Sequence, residues 1–152
     1  MLKFRGVSNL SLDAKGRIVL PARYRERLIE ICNGQLVITI DTDQPCLLIY
    51  PLNEWERIEE KIEALPFFNP TTRRIQRLLI GHATDVEIDS NGRTLLSNPL
   101  RDYAQLGRKV VLIGQGKKFE LWDAALWDTR MEEWLGFKGD ADMPEALADL
   151  TL

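Results

Sequence analysis

The feature that most constrains this chain is a motif that occurs twice. Leu10–Leu20 reads LSLDAKGRIVL and Val86–Leu96 reads VEIDSNGRTLL, so apolar residues, Asp, Gly and Arg recur at the same positions. The agreement continues beyond the motif, because Arg25 matches Arg101 and an apolar run and an aromatic motif follow in both copies. The offset between the copies shrinks from 76 to 74 to 72 residues, which predicts two small deletions in the turns of the second copy. A unit of about fifty residues is therefore duplicated, and whatever its turn does is done at two places.

Length and composition limit the class of protein. The 152 residues suffice for one compact core or two small interlocked ones, whereas each repeat alone would be marginal. Hydrophobic residues make up 45% of the chain and charged residues 28%, as in soluble globular proteins. No apolar run approaches the ~18 residues that span a bilayer, and Met1–Gly6 lacks the hydrophobic core of a signal peptide. We therefore expect neither a membrane segment nor secretion.

Charge is distributed unevenly along the chain. Residues 1–27 carry seven Lys and Arg against two carboxylates, whereas residues 120–149 carry nine carboxylates against two basic residues. A basic first repeat can face a polyanion while the acidic end faces away from it. A mixed, solvated surface explains the charges equally well, so charge alone leaves both interpretations open.

Each copy of the motif predicts a tight turn between two half-buried strands, because apolar and polar residues alternate on both sides of it. In the first copy the turn is Asp13-Ala-Lys-Gly16. Asp at the first position can accept hydrogen bonds from the backbone N–H groups ahead of it, and Gly supplies the positive φ of a type I turn followed by a bulge. The second copy offers Asp89-Ser-Asn-Gly92 for the same reasons.

The remaining elements are predicted from caps, breakers and periodicity. In chain order they are a helix from Pro21 to about Asn33-Gly34, strands at 35–40 and 46–50, a helix opened by a capping box at Asn53-x-x-Glu56 and ended by Pro66, a helix capped by Asn69 and stopped at Gly81, a helix from Pro99, strands at 109–114 and 118–122, and a helix opened by Asp123. The acidic tail, residues 137–152, has a weak helical pattern at Glu145–Leu150, and we expect it to be loosely ordered in isolation.

A wider set of motifs resembles the MraZ family. It consists of Phe4-Arg-Gly6, Asp13-x-Lys-Gly-Arg with Pro21 and Arg25, Cys46-Leu-Leu-Ile-Tyr-Pro51 with Trp55, Arg73-x-x-x-Arg77, Asp89-x-x-Gly-Arg93 and Phe119-Glu-Leu-Trp122. The similarity covers nearly the whole chain apart from the acidic tail. It implies an α+β, β-rich fold of two tandem AbrB-like swapped-hairpin halves, which form one pseudo-two-fold domain with flanking helices and assemble into a ring.

The resemblance also divides the chain and implies a role. We expect AbrB-like repeat 1 at residues 7–54, a helical connector at 55–82, AbrB-like repeat 2 at 83–126, and a C-terminal helix with the acidic tail at 127–152. Proteins of the MraZ family are bacterial transcription regulators, which act at the promoter of the cell-division and cell-wall gene cluster that contains their own gene.

The family's DNA-contacting motif falls on the two turns. The candidate DNA-binding residues are Lys15, Gly16, Arg17, Asn91, Gly92, Arg93 and Arg5. Guanidinium groups bind phosphate or the O6 and N7 atoms of guanine. The residues alone leave a second role open, in which Arg17 and Arg93 pair with the Asp four positions earlier. Asp13 and Asp89 are repelled by phosphate, so we assign them to holding the turn and orienting the arginine.

The two turns are not equivalent. Asn91 stands where the first copy has Lys15, and Ser97-Asn-Pro99 stands where the first copy has Pro21. The second tip is therefore less positive. We expect the first tip to dominate DNA binding.

Other conspicuous residues are assigned structural roles. Ile31 and Leu65 belong to apolar helix stripes. Arg25 and Arg101 are interpreted as a repeated packing or ion-pair arginine. His82 is interpreted as a structural histidine, and Cys32 and Cys46 as reduced, partly buried residues, so neither a metal nor another cofactor is expected. Core-facing or subunit-interface positions are predicted for Trp55, Trp122, Trp127 and Trp134.

The leading hypothesis is a sequence-specific DNA-binding regulator, expected to be a repressor, of its own promoter and the downstream cell-division and cell-wall gene cluster. It would act on double-stranded promoter DNA in the cytoplasm and nucleoid, as a ring of eight or twelve subunits that binds short direct repeats. The alternative is a ring-forming scaffold without a nucleic-acid role, and a third hypothesis is an antitoxin-like AbrB module. No Ser-His-Asp or Cys-His set and no phosphate-binding glycine loop is recognisable, so we expect no enzyme.

Overall fold

The computed structural model of the chain describes residues 3–137, Leu147 and Leu150. The elements follow in the order β1 (Phe4–Ser11), β2 (Arg17–Val19), α1 (Ala22–Cys32), β3 (Gln35–Ile40), β4 (Leu47–Pro51), α2 (Leu52–Glu63), α3 (Pro70–Ile75) continued by a π-helical segment (Gln76–Ile80), β5 (Thr84–Glu87), β6 (Arg93–Leu95), α4 (Asn98–Tyr103), β7 (Lys109–Gly116), β8 (Phe119–Asp123) and α5 (Ala124–Gly136). The predicted α+β class is confirmed. The helical pattern in the acidic tail lies mostly outside the described residues.

Six strands form one antiparallel sheet in the order β1-β7-β8-β4-β3-β5. The order is symmetric about the contact between β8 and β4, so each strand of one repeat has its counterpart on the other side. The first strand of each repeat pairs with the other repeat: β1 with β7 over eight residue pairs, and β5 with β3. Two repeats joined in this way share one sheet and one core.

The predicted strand-turn-strand units form only at their turns. Among the described strands, β2 pairs with β6 and β1 with β7, rather than β1 with β2. The register of the β2–β6 ribbon is Arg17↔Leu95, Ile18↔Thr94 and Val19↔Arg93. This small ribbon therefore brings the two copies of the motif together on one element.

Successive side chains of a strand point to opposite faces of a sheet. Because nearly every residue of the central strands β3 and β4 is buried, both faces of the large sheet are covered. One face carries Leu36, Ile38 and Ile40 of β3 into a central core that is covered by α1, α4 and the β2–β6 ribbon. The opposite face is covered in two halves. Trp55 of α2 packs there against β3 and β4, and Trp127 of α5 packs against β7 and β8.

Capping residues end or begin three helices as predicted. Asn33 ends α1 in the left-handed conformation at φ 57°, and Asn33 and Gly34 donate their N–H groups to carbonyls of the last turn. The side chains of Asn69 and Asp123 accept backbone N–H groups at 2.8 and 3.3 Å at the starts of α3 and α5. Local chemistry thus fixes where these helices lie along the sheet.

Several finer predictions are wrong. Since α2 begins at Leu52, Asn53 lies inside its first turn rather than at its cap. Ile31 is 37% exposed in the last turn of α1, and Leu65 is 41% exposed because it lies beyond the end of α2. Trp134 is 45% exposed in the single chain but packs edge-on against Trp122 and Trp127, with ring centroids 5.7 and 5.9 Å away, so its predicted place in the core or a subunit interface stays a prediction. Within the described residues, no helix is long and apolar enough to cross a membrane.

Two buried threonines differ in their hydrogen bonding. Thr39 of β3 donates its hydroxyl to the Leu79 carbonyl of the π-helical segment at 2.6 Å. Thr94 of β6 faces the core opposite Ile18, and its hydroxyl has no partner among the described residues. An unpartnered buried hydroxyl lowers stability, whereas a partnered one contributes to it.

We therefore predict opposite effects for two chemically identical substitutions. Thr94→Val should raise the free energy of unfolding by about 1 kcal/mol, and Thr39→Val should lower it by about 1–3 kcal/mol because the Leu79 carbonyl loses its donor. Urea denaturation followed by circular dichroism measures both. A destabilised Thr94→Val variant would show that the hydroxyl is satisfied in solution.

Candidate nucleic-acid interface

The two turns have the predicted backbone geometry. In the first, the Gly16 N–H donates to the Asp13 carbonyl at 3.0 Å and the Asp13 N–H donates to the Arg17 carbonyl at 2.9 Å. Gly16 has φ +82°, and its counterpart Gly92 has φ +78°. This pattern is a type I turn closed by a glycine bulge. The second turn repeats both backbone hydrogen bonds, each at 2.9 Å.

Each turn is organised around its aspartate. Oδ1 of Asp13 accepts the N–H groups of Lys15 and Arg17, both at 2.9 Å, and Oδ2 accepts Nε of Arg17 at 2.8 Å. Asp89 makes the same three contacts, with Nε of Arg93 at 2.8 Å. The pairing between Asp and the Arg four residues later is thus present at both turns.

These contacts also set the charge state of the aspartates. The Arg17 N–H bond, together with the Arg17 side chain and the Lys15 N–H, holds the pKa of Asp13 below its ordinary value of 3.8. The corresponding groups of Arg93 and Asn91 lower the pKa of Asp89 in the same way. Both carboxylates therefore stay ionised and keep their arginines at neutral pH.

The aspartates engage only one edge of each guanidinium. Among the described residues, the terminal Nη atoms of Arg17 and Arg93 make no hydrogen bond, and the two side chains are 25% and 31% exposed. Because Ile18 and Thr94 point into the core, both arginines lie on the outer face of the β2–β6 ribbon. The ribbon thus displays two oriented guanidinium groups on one face.

Arginines from the helices brace the turns across the repeats. Arg101 of repeat 2 lies over Gly16, where a Cβ atom would come within 2.7 Å of its Cζ. Arg25 of repeat 1 lies over Gly92 in the same manner, and its Nη1 donates to the Asn91 carbonyl at 3.4 Å. The glycines therefore serve close packing as well as positive φ. This contact explains why Arg25 and Arg101 recur in both repeats.

The surroundings of the two tips differ in charge. The exposed Arg108 lies beside Asp13 and Ala14, since the Leu12 N–H donates to its carbonyl at 2.7 Å. At the second tip the Ile88 N–H makes the equivalent bond to Gly34. Sequence reasoning missed Arg108, because only the pairing of β1 with β7 brings it to the first tip.

The second tip lacks this arginine, because Gly34 occupies the equivalent position, and it has an acidic neighbour. Glu26 of α1 lines the cavity beside Asp89 and Gly92. Lys15 and Asn91 are both exposed at their tips. The first tip is consequently the more positive of the two.

Arg5 lies apart from the tips. It is near the start of β1, six residues before Ser11, which corresponds to about 20 Å along an extended strand. There it lines a shallow cavity with Lys3, Arg23 and Arg27. Six of the seven candidate DNA-binding residues thus lie in or directly after the two turns, whereas the seventh, Arg5, lies away from both.

A cluster of possible metal ligands lies elsewhere. One oxygen or sulfur atom from each of Asp41, Cys46 and Glu120 falls within 4.8 Å of the others. Burial, with the charges of Glu120 and Asp41, raises the pKa of the Cys46 thiol far above its ordinary value, so it remains protonated and bonds Asp41 at 3.6 Å. Nδ1 of His82 contacts the Leu78 carbonyl at 2.8 Å, so His82 belongs to the end of the π-helical segment.

We predict that Gly16→Ala destabilises the protein more than Gly116→Ala. Gly116 has a similar φ of +85° but no atom within 4 Å of the place where an alanine methyl group would lie, so its substitution measures only the cost of the left-handed backbone, about 1–2 kcal/mol. Gly16→Ala adds the collision with Arg101. Chemical denaturation of both variants gives the difference, and equal losses would mean that Arg101 moves aside freely.

The lowered pKa values predict a pH dependence. Because the folded pKa lies below 3.8, each Asp stabilises the fold above that pH, and its contribution is lost as the pH falls through the folded pKa. NMR titration of the carboxyl carbons should show both values below 3.8. Arg17→Ala should raise the pKa of Asp13 only part of the way to its ordinary value, because the backbone N–H groups of residues 15 and 17 still donate to the carboxylate. The pKa of Asp89 should stay unchanged as an internal control.

Comparison with known proteins identifies the family. A family model described as "MraZ protein, putative antitoxin-like" matches residues 3–78 and again residues 79–142. Curated relatives named Transcriptional regulator MraZ include proteins of Alkalilimnicola ehrlichii, 52% identical over 149 residues, Halorhodospira halophila, 53% over 151, and Coxiella burnetii, 55% over 152. Each alignment covers 98% of this chain and 99% of the relative. The resemblance of the motifs is thereby confirmed: the chain belongs to the MraZ family, whose curated members are named as transcriptional regulators.

Proposed function

We propose that this protein is a sequence-specific DNA-binding regulator that represses its own promoter and the cell-division and cell-wall gene cluster downstream. The observation that carries the proposal is the pair of guanidinium groups, each fixed at Nε by an aspartate and open at Nη, on the outer face of the β2–β6 ribbon. It acts in the cytoplasm at the nucleoid and is a regulator rather than an enzyme.

The ribbon suits the major groove of B-form DNA, which admits a two-stranded β-ribbon. The free edge of Arg17 can bind O6 and N7 of a guanine, while Asp13 holds its other edge. Lys15 and the backbone of the turn lie beside it for phosphate contacts, which position the protein without reading sequence. The aspartate is thus an orienting group rather than a DNA contact.

The first tip dominates binding in this proposal. Lys15 and Arg108 add positive charge there, whereas the second tip has Asn91 and the neighbouring Glu26. Contacts with phosphate contribute most of the salt-dependent affinity of DNA-binding proteins. Arg93 would then contribute chiefly to register and specificity.

Self-association follows from apolar side chains that the single chain leaves exposed. Phe67 and Phe68 are 63% and 82% exposed beside each other, and Leu135 and Phe137 are 78% and 64% exposed. Large exposed apolar side chains in neighbouring positions are typical of protein interfaces. We propose a closed homo-oligomeric ring of eight or twelve subunits, which light scattering coupled to size exclusion would measure; a 17.5 kDa species would refute it.

Arg17→Ala should abolish specific DNA binding while leaving assembly intact, and Arg93→Ala should have a smaller effect. Loss of one bidentate base contact costs about 1–3 kcal/mol per site, multiplied over the subunits that bind together. Arg74→Ala, which removes an exposed arginine of α3, is the matched control for charge. Electrophoretic shift and sizing of the three variants test this. Equal or reversed losses for Arg17 and Arg93 would contradict the ranking.

The operator should consist of short direct repeats about one helical turn, ~10 bp, apart. Neighbouring subunits of a ring are related by a rotation, so their tips have the same orientation along the DNA. The same face of the groove recurs once per helical turn of the duplex, and each tip can therefore contact an identical repeat. Footprinting the DNA upstream of the gene locates the site, and titrating one to four repeats measures cooperation. If one repeat binds as tightly as four, or an inverted arrangement as well as a direct one, this geometry is wrong. A ring that binds no promoter DNA would instead support the scaffold function.

A further inference from the structure

A groove of about 810 Å³ lies between α2 and the β7–β8 turn, on the side of the sheet away from the central core. Its floor is apolar, with the buried Tyr50 and the half-buried Ile58, and the exposed Ala64 lies at its edge. Arg57, Lys61 and the two lysines of the β7–β8 turn line its rim. None of the residues of the two motif turns takes part in it.

The groove exists because the duplication is imperfect. Four residues separate Gly114 from its partner Phe119 in the β7–β8 turn, whereas six separate Ile40 from Leu47 in the equivalent β3–β4 turn. The longer turn reaches α5, where Gln44 accepts Nε of Arg130 at 3.0 Å. The shorter turn leaves the corresponding space beside α2 open.

The groove carries an excess of positive charge. Five basic side chains and two carboxylates line it, and one pair of these, Arg57 and Glu54, is joined at 3.4 Å. Among the described residues, Lys3, Lys61, Lys117 and Lys118 form no ion pair. An apolar floor with a basic rim is complementary to a segment that is both apolar and acidic.

The acidic tail of this protein has that chemistry. Residues 138–152 carry four carboxylate side chains against Lys138, and Met143, Leu147 and Leu150 recur at spacings of four and three. Such spacing places apolar side chains on one helix face. Leu147 and Leu150 are 49% and 58% exposed, so the chain's own fold does not bury them.

The position of α5 favours a neighbouring copy as the source of the tail. Arg130 of α5 contacts the β3–β4 turn, and that turn lies at the opposite end of β8 from Lys118, because β4 and β8 run antiparallel. The helix that precedes the tail therefore shares a face of the sheet with the groove of its own chain but contacts the opposite end of the strands. We propose that the acidic tail of one copy docks in the basic groove of the next copy and links the subunits head to tail. This rests on the proposed self-association and is independent of DNA binding.

Disulfide trapping in the full chain tests the contact. Leu147→Cys combined with Ala64→Cys should form a cross-link that runs as a dimer and higher species on a non-reducing gel. Each single variant controls for Cys32 and Cys46, and Leu147→Cys with Ala14→Cys, an exposed residue of the first motif turn, controls for chance collision. A cross-link confined to the monomer band, or one equally strong with Ala14→Cys, would overturn the proposal.

Charge reversal separates this contact from the proposed function. Lys117→Glu with Lys118→Glu should lower the yield of cross-link roughly tenfold, because attraction at the rim becomes repulsion. The matched control Lys109→Glu, an exposed lysine at the start of β7, should leave the yield unchanged. Circular dichroism verifies folding. An unchanged yield would refute the groove as the docking site. If the unmodified protein does not bind promoter DNA, the DNA-binding function is refuted and the groove is not.

Discussion

The exchange of first strands between the repeats is the constraint on which the rest of the structure depends. Because β1 completes the edge of β7 and β5 completes the edge of β3, neither repeat can close its part of the sheet alone. The exchange also carries the strand after each turn away from the strand before it, so that β2 and β6 pair with each other. Two distant copies of one motif thereby become neighbours on a single ribbon.

The same exchange makes the two roles that the sequence left open for the motif arginines compatible with each other. An arginine paired with an aspartate could have been fully used in holding its turn. Here the pairing takes only Nε, and the neighbouring repeat braces the turn with Arg25 or Arg101. Holding the turn and displaying a guanidinium are therefore compatible, since a rigid turn lowers the entropy lost when the arginine binds a ligand.

Local signals in the sequence predicted turns and helix caps better than they predicted which strands pair. The turns, the caps at Asn69 and Asp123 and the end of α1 follow from interactions within a few residues, and they are found where expected. The distances between elements did not follow. Arg108 reaches the first tip only because β1 lies against β7, a contact between residues about a hundred positions apart. Arg5 is separated from the tip because β1 is extended over the residues between them. The ends of apolar stripes, such as Ile31, were also misjudged, because periodicity does not tell how far a core extends.

Divergence between the repeats gives a pseudo-symmetric fold two different sides. Repeat 1 supplies the more basic tip, and the shortened β7–β8 turn of repeat 2 opens a groove that its longer counterpart fills with Gln44. A subunit with an exact internal two-fold would offer the same surface at both ends. Unequal ends instead allow a tail and a groove to meet repeatedly in one sense, and such heterologous contacts generate closed rings when the rotation between neighbours closes. The differences between the two copies can thus determine assembly, while the features they share hold the arginines in place.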